Sequence, residues 1–342
     1  VVTELTRLEP LIVGRPVEAD RDELIATLHA RGVALSDRRE GHSLAVLASG
    51  LDVAWADLCA RVHQQPLWQE LGGRPLQTVD LYANINRGLW TRTPDEFAER
   101  ARQAVAEGFT RIKCAPFDHL PLAGAALREA GLLRLEAVRD AVGPDVELYV
   151  DAHAKLPIGE VFAALEVFER LHVAWLEDAV RLDRPDLLRA VRARTGLHLV
   201  GGEQTYRATD LVPALDAHAF DAVLLDVKYT GGLDALRGLI AIVSDRGLPV
   251  SLHNSAGPVA TAASVAATTT IPVPTVLEYA FGEAPWRAQV IDPTEVVMGG
   301  TVRVPTSPGL GVDVNDDYAP FVAVDRFLTT LSETAPPGIS SP

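Results

Sequence analysis

Read for hydrophobic spacing, the chain changes character near residue 76. Upstream, apolar positions recur with helical period in an acidic amphipathic segment around Asp20–Arg31 and in a more apolar one around Ser43–Leu71, which closes at Gly72-Gly73. Downstream, short runs rich in β-formers alternate with longer helix-patterned segments, the arrangement that βα units produce. Eight runs read as strands: Thr78–Ile85, Arg111–Ala115, Glu147–Asp151, Ala174–Glu177, His198–Glu203, Ala222–Val227, Pro249–His253 and Thr275–Tyr279. The helix after the first has the clearest local signals. Thr93 stands at the N-cap, Pro94 at N1, Glu96 where it would complete a capping box, and Gly108 where the helix should stop, with Phe97, Ala101 and Val105 recurring every four positions.

Eight strands separated by helices predict an α/β chain folded as a parallel (β/α)8 barrel over residues 76–290. A doubly wound open sheet is the rival. No Gly-x-Gly-x-x-Gly or Walker-type loop follows any strand, so the usual nucleotide-binding reason for that fold is missing. Residues 1–75 read as a helical region preceding the barrel, and residues 291–342 as a return segment, Gly/Pro-rich and weakly β over Met298–Val314. A loose tail ending in Pro336-Pro337-Gly338 is expected after it.

Composition narrows function more than fold. With 48% apolar and 23% charged residues the 342-residue chain is an ordinary globular one. No apolar run reaches bilayer length, Gly257–Thr270 included, and no secretory signal opens the sequence, so no membrane association is expected. Lys plus Arg number 31 against 46 Asp plus Glu, and the resulting net charge of −15 repels nucleic acid and anionic lipid. Cys59 and Cys114 lie in neither a metal-type nor a Cys-x-x-Cys spacing, which fits a reduced, cytoplasmic setting.

Barrel enzymes carry their chemistry at the C-terminal ends of strands. Here those ends are charged nearly every time: Lys113, Asp151 with His153, Glu177 with Asp178, Glu203, Asp226, His253 and Glu278. From Asp151 onward the positions lie 26, 26, 23, 27 and 25 residues apart, about one βα unit each, so they converge on one mouth. A lone carboxylate there reads as a helix cap or a surface ion pair. Asp151, Glu177 and Glu203 on three successive strands would repel one another unless a cation lay between them. An all-oxygen set favours a hard ion, Mg²⁺ first and Mn²⁺ second.

Alternation puts Arg111 and Lys113 on the same side of the second strand, where a neighbouring cation and burial would lower the lysine pKa, as a lysine base requires. A lysine paired with the carboxylates is the plainer reading. His253 and Asp226 end adjacent strands, and the carboxylate would fix the imidazole's tautomer and raise its pKa. Glu278 either pairs with Lys113 or, protonated, donates to substrate. His153 faces the same way as Asp151 and is a second candidate acid, or a loop residue near the metal. Asn84, Asn86, Arg87 and Trp90, at and after the first strand end, either line a polar substrate pocket or belong to a solvated loop, and Arg111 is a further substrate-binding candidate.

In this order the residues resemble the enolase superfamily and, within it, the mandelate racemase subgroup (the mandelate racemase/muconate lactonizing enzyme family). The similarity rests on Gly50–Asp57, Arg111-Ile112-Lys113, Asp151-Ala152-His153, Trp175-Leu176-Glu177-Asp178, Gly202-Glu203, Asp226 ahead of Gly231-Gly232, His253-Asn254 and Pro308-Gly309-Leu310-Gly311. It implies a modified TIM barrel under an α+β capping domain drawn from both chain ends. It also implies Mg²⁺ on Asp151, Glu177 and Glu203, and removal of the proton next to a substrate carboxylate to give an enediolate, with Lys113 and His253–Asp226 on opposite faces.

There are departures from the subgroup's pattern. Arg111 stands where a first lysine is usual, Asp178-Ala179 replaces Glu-Pro, and His153 replaces a frequent asparagine as in sugar-acid dehydratases. The chain also begins near where the family's N-terminal sheet should end, so the cap is expected to be incomplete. The expected activity is Mg²⁺-dependent dehydration of an aldonate or aldarate to a 2-keto-3-deoxy acid, with Lys113 or His253 as base and His253 or His153 as acid. The rivals are a two-base racemase or epimerase and a non-catalytic binding barrel. The expected partners are a small anionic carboxylate and further copies of the chain.

Overall fold

A computed structural model describes residues 38–273, 275–315 and 317 of the chain. The amphipathic segment expected at Asp20–Arg31, the question of an N-terminal sheet and the Pro336-Pro337-Gly338 tail all lie outside the described residues. Eight strands, β1 (Thr78–Asn84), β2 (Arg111–Cys114), β3 (Glu147–Asp151), β4 (Val173–Glu177), β5 (His198–Gly201), β6 (Ala222–Leu225), β7 (Val250–Leu252) and β8 (Leu277–Ala280), run parallel in sequence order. β1 also pairs with β8, Leu81 opposite Leu277 and Asn84 opposite Ala280, which closes the sheet into a barrel. The open-sheet alternative is thereby excluded.

Between the strands lie α3 (Pro94–Ala106), α4 (Gly124–Val142), α5 (Ile158–Arg170), α6 (Pro185–Arg192), α7 (Ala208–Asp216), α8 (Leu233–Ser244) and α9 (Pro258–Thr268), preceded by α1 (Arg38–Val62) and α2 (Leu67–Glu70). β5, β6 and β7 stop short of the expected ends, at Gly201, Leu225 and Leu252, because Glu203, Asp226 and His253 have already left the ladder to turn into the mouth. In α3, Thr93 does cap the helix by accepting from the Glu96 amide. The capping box is not reciprocated: the Glu96 carboxylate instead takes the amides of Trp90 and Arg92 and the Thr91 hydroxyl. Val105 is exposed and Ala104 is buried in its place, since steps of four drift around a helix with 3.6 residues per turn.

Strand alternation builds the interior in layers. Tyr82, Tyr149, Trp175, Val200 and Leu224 form one buried cluster inside the barrel. Tyr149 and Trp175 stack at 3.8 Å between ring centroids, and Tyr82 meets both edge-on at 5.4 and 5.3 Å. Each buried aromatic of this kind stabilises the fold by roughly 1.5–3 kcal/mol. Two residues further along the same strands, the inward positions are Asn84, Asp151, Glu177 and Asp226, so the aromatic layer is the floor of the mouth.

The return segment contributes β9 (Ile291–Asp292), β10 (Val297–Met298), β11 (Thr301–Arg303) and β12 (Asp313–Val314). β11 adds antiparallel to the start of β1, Thr78 opposite Arg303, and β12 pairs with β9. Trp68 Nε1 donates to Pro305 O at 3.0 Å and the Leu310 amide to Asp57 at 2.6 Å, so the segment is bonded to α1 and α2. On α1, Ser49 and Asp52 accept the Gly231 and Leu233 amides just beyond β6. Among the described residues no helix is long and apolar enough to cross a membrane.

Candidate active site

The seven charged strand-end positions do meet. Asp151, Glu177 and Glu203 each place one carboxylate oxygen within 4.8 Å of the others, and all three are buried. Lys113, fully buried, lies 3.0 Å from Glu177, 3.1 Å from Glu278 and 3.6 Å from Asp151, with Nζ 5.4 Å from the centroid of the Tyr82 ring beneath it. His253 Nδ1 is 2.6 Å from Asp226, and its Nε2 is 2.9 Å from Glu203. Glu278 receives Asn84 Nδ2 on one oxygen and the Asn254 amide, at 3.0 Å, on the other. Asp226 is held further by the Lys228 amide at 2.7 Å and the Lys228 ammonium at 3.2 Å, partners that the sequence reading did not name.

Burial alone would lower the Lys113 pKa, but Glu177, Glu278 and Asp151 outweigh it and raise the value well above the ordinary one. The geometry is that of the plainer expectation, a lysine paired with the carboxylates, and the neighbour expected to lower it is not beside it. The reason is local: Arg111, the supposed cationic neighbour, keeps the predicted side of β2 but sits at its first residue, 4.0 Å from Asp80 and 3.5 Å from Glu147. It is engaged near the starts of β1 and β3 and is not a lining residue of the mouth, so the substrate-binding role expected for it is corrected. Glu278 is drawn down to about 2: burial opposes this, and Lys113, His253, Asn84 and the Asn254 amide overcome it. Of its two expected readings, the ion pair with Lys113 is the one found.

His153 comes from the loop after β3, at φ 45°, a left-handed conformation that non-glycine residues rarely adopt. Its amide donates to Asp151 at 2.9 Å, which fixes the turn. The ring bridges two carboxylates, Nδ1 2.8 Å from Asp118 and Nε2 2.9 Å from Asp151. Burial opposes the charged ring, yet hydrogen bonds to Asp118 and Asp151 push its pKa up to about 11.

Asp118, absent from the sequence reading, is the orienting partner. Phe117 beside it is buried against Gly131 of α4, where a Cβ would come within 2.2 Å of the ring, and Arg134 of α4 donates to Pro116 O and Asp118 O at 2.9 Å each. A signal for it existed: loops that follow barrel strands face the mouth, and Asp118 lies in the loop after β2.

A cavity of about 540 Å³ opens over these groups, lined by Asp151, His153 and His253, by Asp118 and His119, and by Asn84 with the loop Asn86–Arg92. Trp90 is on it and 81% exposed; Lys113, Glu177 and Glu278 are not among its lining residues.

The family model described as "Enolase C-terminal domain-like" matches residues 96–318. The chain belongs to the enolase superfamily. It is 30% identical over 275 residues to the D-gluconate dehydratase of Thermoproteus tenax, an alignment covering 80% of this chain but only 55% of that protein. To the D-xylonate dehydratase of Haloferax volcanii it is 26% identical over 325 residues, 92% of this chain and 77% of the other. An enolase superfamily member from Salmonella Typhimurium superposes with a TM-score of 0.80 at 21% identity, covering 92% of this chain and 85% of that one, a likeness of fold.

The acidic trio fits the divalent cation of this superfamily on the chain's own chemistry. Burial and the charge of Asp151 together raise the Glu177 pKa well above normal despite Lys113, and burial with Glu203 and Asp151 lifts Asp178 to about 8. Negative charge is in excess at a buried point with three oxygen donors, which is what a hard cation relieves.

Proposed function

We propose that this enolase superfamily member is a Mg²⁺-dependent sugar-acid dehydratase that converts an aldonate or aldarate to a 2-keto-3-deoxy acid. The observation that carries the reading is the pair of imidazole–carboxylate couples, His253–Asp226 and His153–Asp118, whose two rings line one cavity with Asp151. Similarity to proteins named gluconate and xylonate dehydratases supports the same reaction class. Asp151, Glu177 and Glu203 would hold the cation, whose chemistry when bound is to draw negative charge away from the substrate carboxylate and so acidify the α-proton.

Dehydration needs one group to accept a proton and another to give one. His253, oriented through Nδ1 by Asp226, takes the α-proton at Nε2 when the ring is neutral and Nε2 is released from Glu203. His153, oriented by Asp118, donates a proton to the departing β-hydroxyl, which leaves as water. The carbon–carbon double bond formed is an enol, which returns to the 2-keto acid by taking a proton at C3. Lys113, sealed beneath Glu177 and Glu278, holds the charge of the cluster. A racemase using Lys113 as a second base would need that ammonium to reach the substrate, and it does not line the cavity.

The test is a panel of aldonic and aldaric acids assayed for 2-keto-acid formation with Mg²⁺ or Mn²⁺ and after EDTA. One or more acids should be dehydrated, EDTA should abolish turnover, and the metal should restore it. Product of unchanged carbon skeleton and inverted α-configuration would overturn dehydration in favour of epimerisation.

A further inference from the structure

We propose that Arg92 forms a second anion subsite at the far side of the mouth, and that the natural substrate is therefore a dicarboxylic sugar acid, an aldarate, held by a carboxylate at each end. This rests on the dehydratase reading and narrows its substrate.

Arg92 lines the same cavity as His153 and His253. Its Nη1 donates to Asn86 O at 2.9 Å, and the guanidinium lies 5.4 Å from the centroid of the Phe97 ring. Nε and Nη2, both withdrawn from water, have no hydrogen-bond partner among the described residues. These two atoms form one edge of the guanidinium, the edge that grips a carboxylate with two parallel bonds. Two exposed arginines among the described residues use that edge in this way: Arg181 holds Asp183 through Nε and Nη2 at 3.0 and 2.7 Å, and Arg184 holds Asp186 at 3.0 and 2.8 Å. At Arg92 no carboxylate among the described residues takes that edge, and leaving charged donors unpaired away from water is costly.

The acidic neighbours are already committed. Glu96 is occupied by the amides of Trp90 and Arg92 and by the Thr91 hydroxyl, and Asp118 by His153. The same Glu96 bonds hold Arg92 at φ 52°, a strained conformation for a residue with a side chain, which persists only where the surroundings enforce it. Arg87, tied across the mouth to Ser255 O and Oγ at 3.1 and 3.2 Å, adds a second positive charge to this wall. Elsewhere the mouth is rich in carboxylates, so the distal end of a dianion finds cations here. A cavity of about 540 Å³ is large enough for a six-carbon diacid. On binding, the Arg92 side chain turns its unpaired edge to the second carboxylate.

The experiment compares aldarates with aldonates, D-gluconate and D-xylonate among them, on the Mg²⁺-loaded chain and on Arg92→Gln and Arg92→Lys. An aldarate should be preferred over the aldonate of matching configuration by roughly 10²-fold in kcat/KM. Arg92→Gln should lower kcat/KM for the aldarate by a similar factor, mostly through KM, and for the aldonate by far less, with Arg92→Lys in between. Preference for an aldonate, or an equal loss on both classes, overturns the subsite. Turnover of no sugar acid would sink the dehydratase reading instead. Calorimetry would then judge the subsite alone: aldarate binding weakened by Arg92→Gln supports it, and binding indifferent to that change overturns it.

Discussion

One wall of the mouth is built on strand ends and the other on loops. The strand-built wall comprises Lys113, Asp151, Glu177 and Glu278 with Glu203, Asp226 and His253, which follow their strands closely; every member is buried and bonded to another member. The loop-built wall, Asn86–Arg92 with Asp118, His119 and His153, is half-buried to exposed, and three of its non-glycine residues, Arg92, His119 and His153, sit at positive φ. Ladder hydrogen bonds on both sides fix a strand end, so near-regular spacing in sequence gives convergence in space. A loop converges only through specific ties, here Glu96 to the Trp90 and Arg92 amides and Arg134 to the Pro116 and Asp118 carbonyls. The first wall is suited to chemistry that tolerates no displacement, the second to choosing what is admitted.

The largest expected difference between the walls is in proton transfer. His253→Asn removes the base and should lower kcat by roughly 10²- to 10⁴-fold, with loss of α-proton exchange when substrate is incubated in D₂O. His153→Asn removes the acid on the loop wall. Keto-acid release should fall, while NMR of recovered substrate still shows deuterium entering at the α-carbon, because His253 exchanges its proton with solvent. Asp226→Asn and Asp118→Asn should repeat the two patterns more mildly, each through the imidazole it orients. If both histidine variants abolished exchange equally, the division of labour between the walls would be wrong.

The legibility of the two walls in the sequence follows the same division. Strand ends could be found because β-runs such as Leu148-Tyr149-Val150 and Val223-Leu224-Leu225 terminate in a charge, and the eight runs were located to within a few residues of the observed ladders. The barrel, and the meeting of Asp151, Glu177 and Glu203, followed from that spacing. Asp118 and Arg92 carry no periodic signature, since nothing but tertiary contacts places them. Arg111 shows the limit of alternation as a guide. It identifies a side of the strand but not a height along the barrel, and one inward step down was enough to take Arg111 from the mouth to Asp80 and Glu147.

A smaller effect, and one confined to the strand wall, concerns stability. Lys113→Met leaves Glu177 and Glu278 facing each other without their buried cation, and breaking such a pair costs about 3–5 kcal/mol. Chemical denaturation should show a loss of that size in metal-free protein, partly recovered in Lys113→Met/Glu278→Gln, where one of the stranded charges is gone. No equivalent cost should attend Arg87→Gln on the loop wall, whose guanidinium is exposed. A full-stability Lys113→Met protein would mean that the carboxylates are not held by the lysine.

The smallest expected effect tests how the loop wall is tied. Burial would raise the Glu96 pKa, but hydrogen bonds from the Trp90 and Arg92 amides and the Thr91 hydroxyl lower it below the ordinary glutamate value. A carboxyl with a lowered folded-state pKa binds fewer protons folded than unfolded, so its contribution is complete above the unfolded value of about 4.3 and is lost as pH falls through the folded one. Glu96→Gln keeps an acceptor oxygen but has no charge to lose. At neutral pH it should be less stable than the parent by under about 1 kcal/mol, a figure reduced by solvent access to the loop. The gap between the two melting temperatures should then close as the pH is lowered below about 4, since protonation makes the parent resemble the variant. Calorimetric scans at stepped pH provide the comparison, and a gap that stays constant from pH 7 downward would show that the Glu96 charge does not hold the loop.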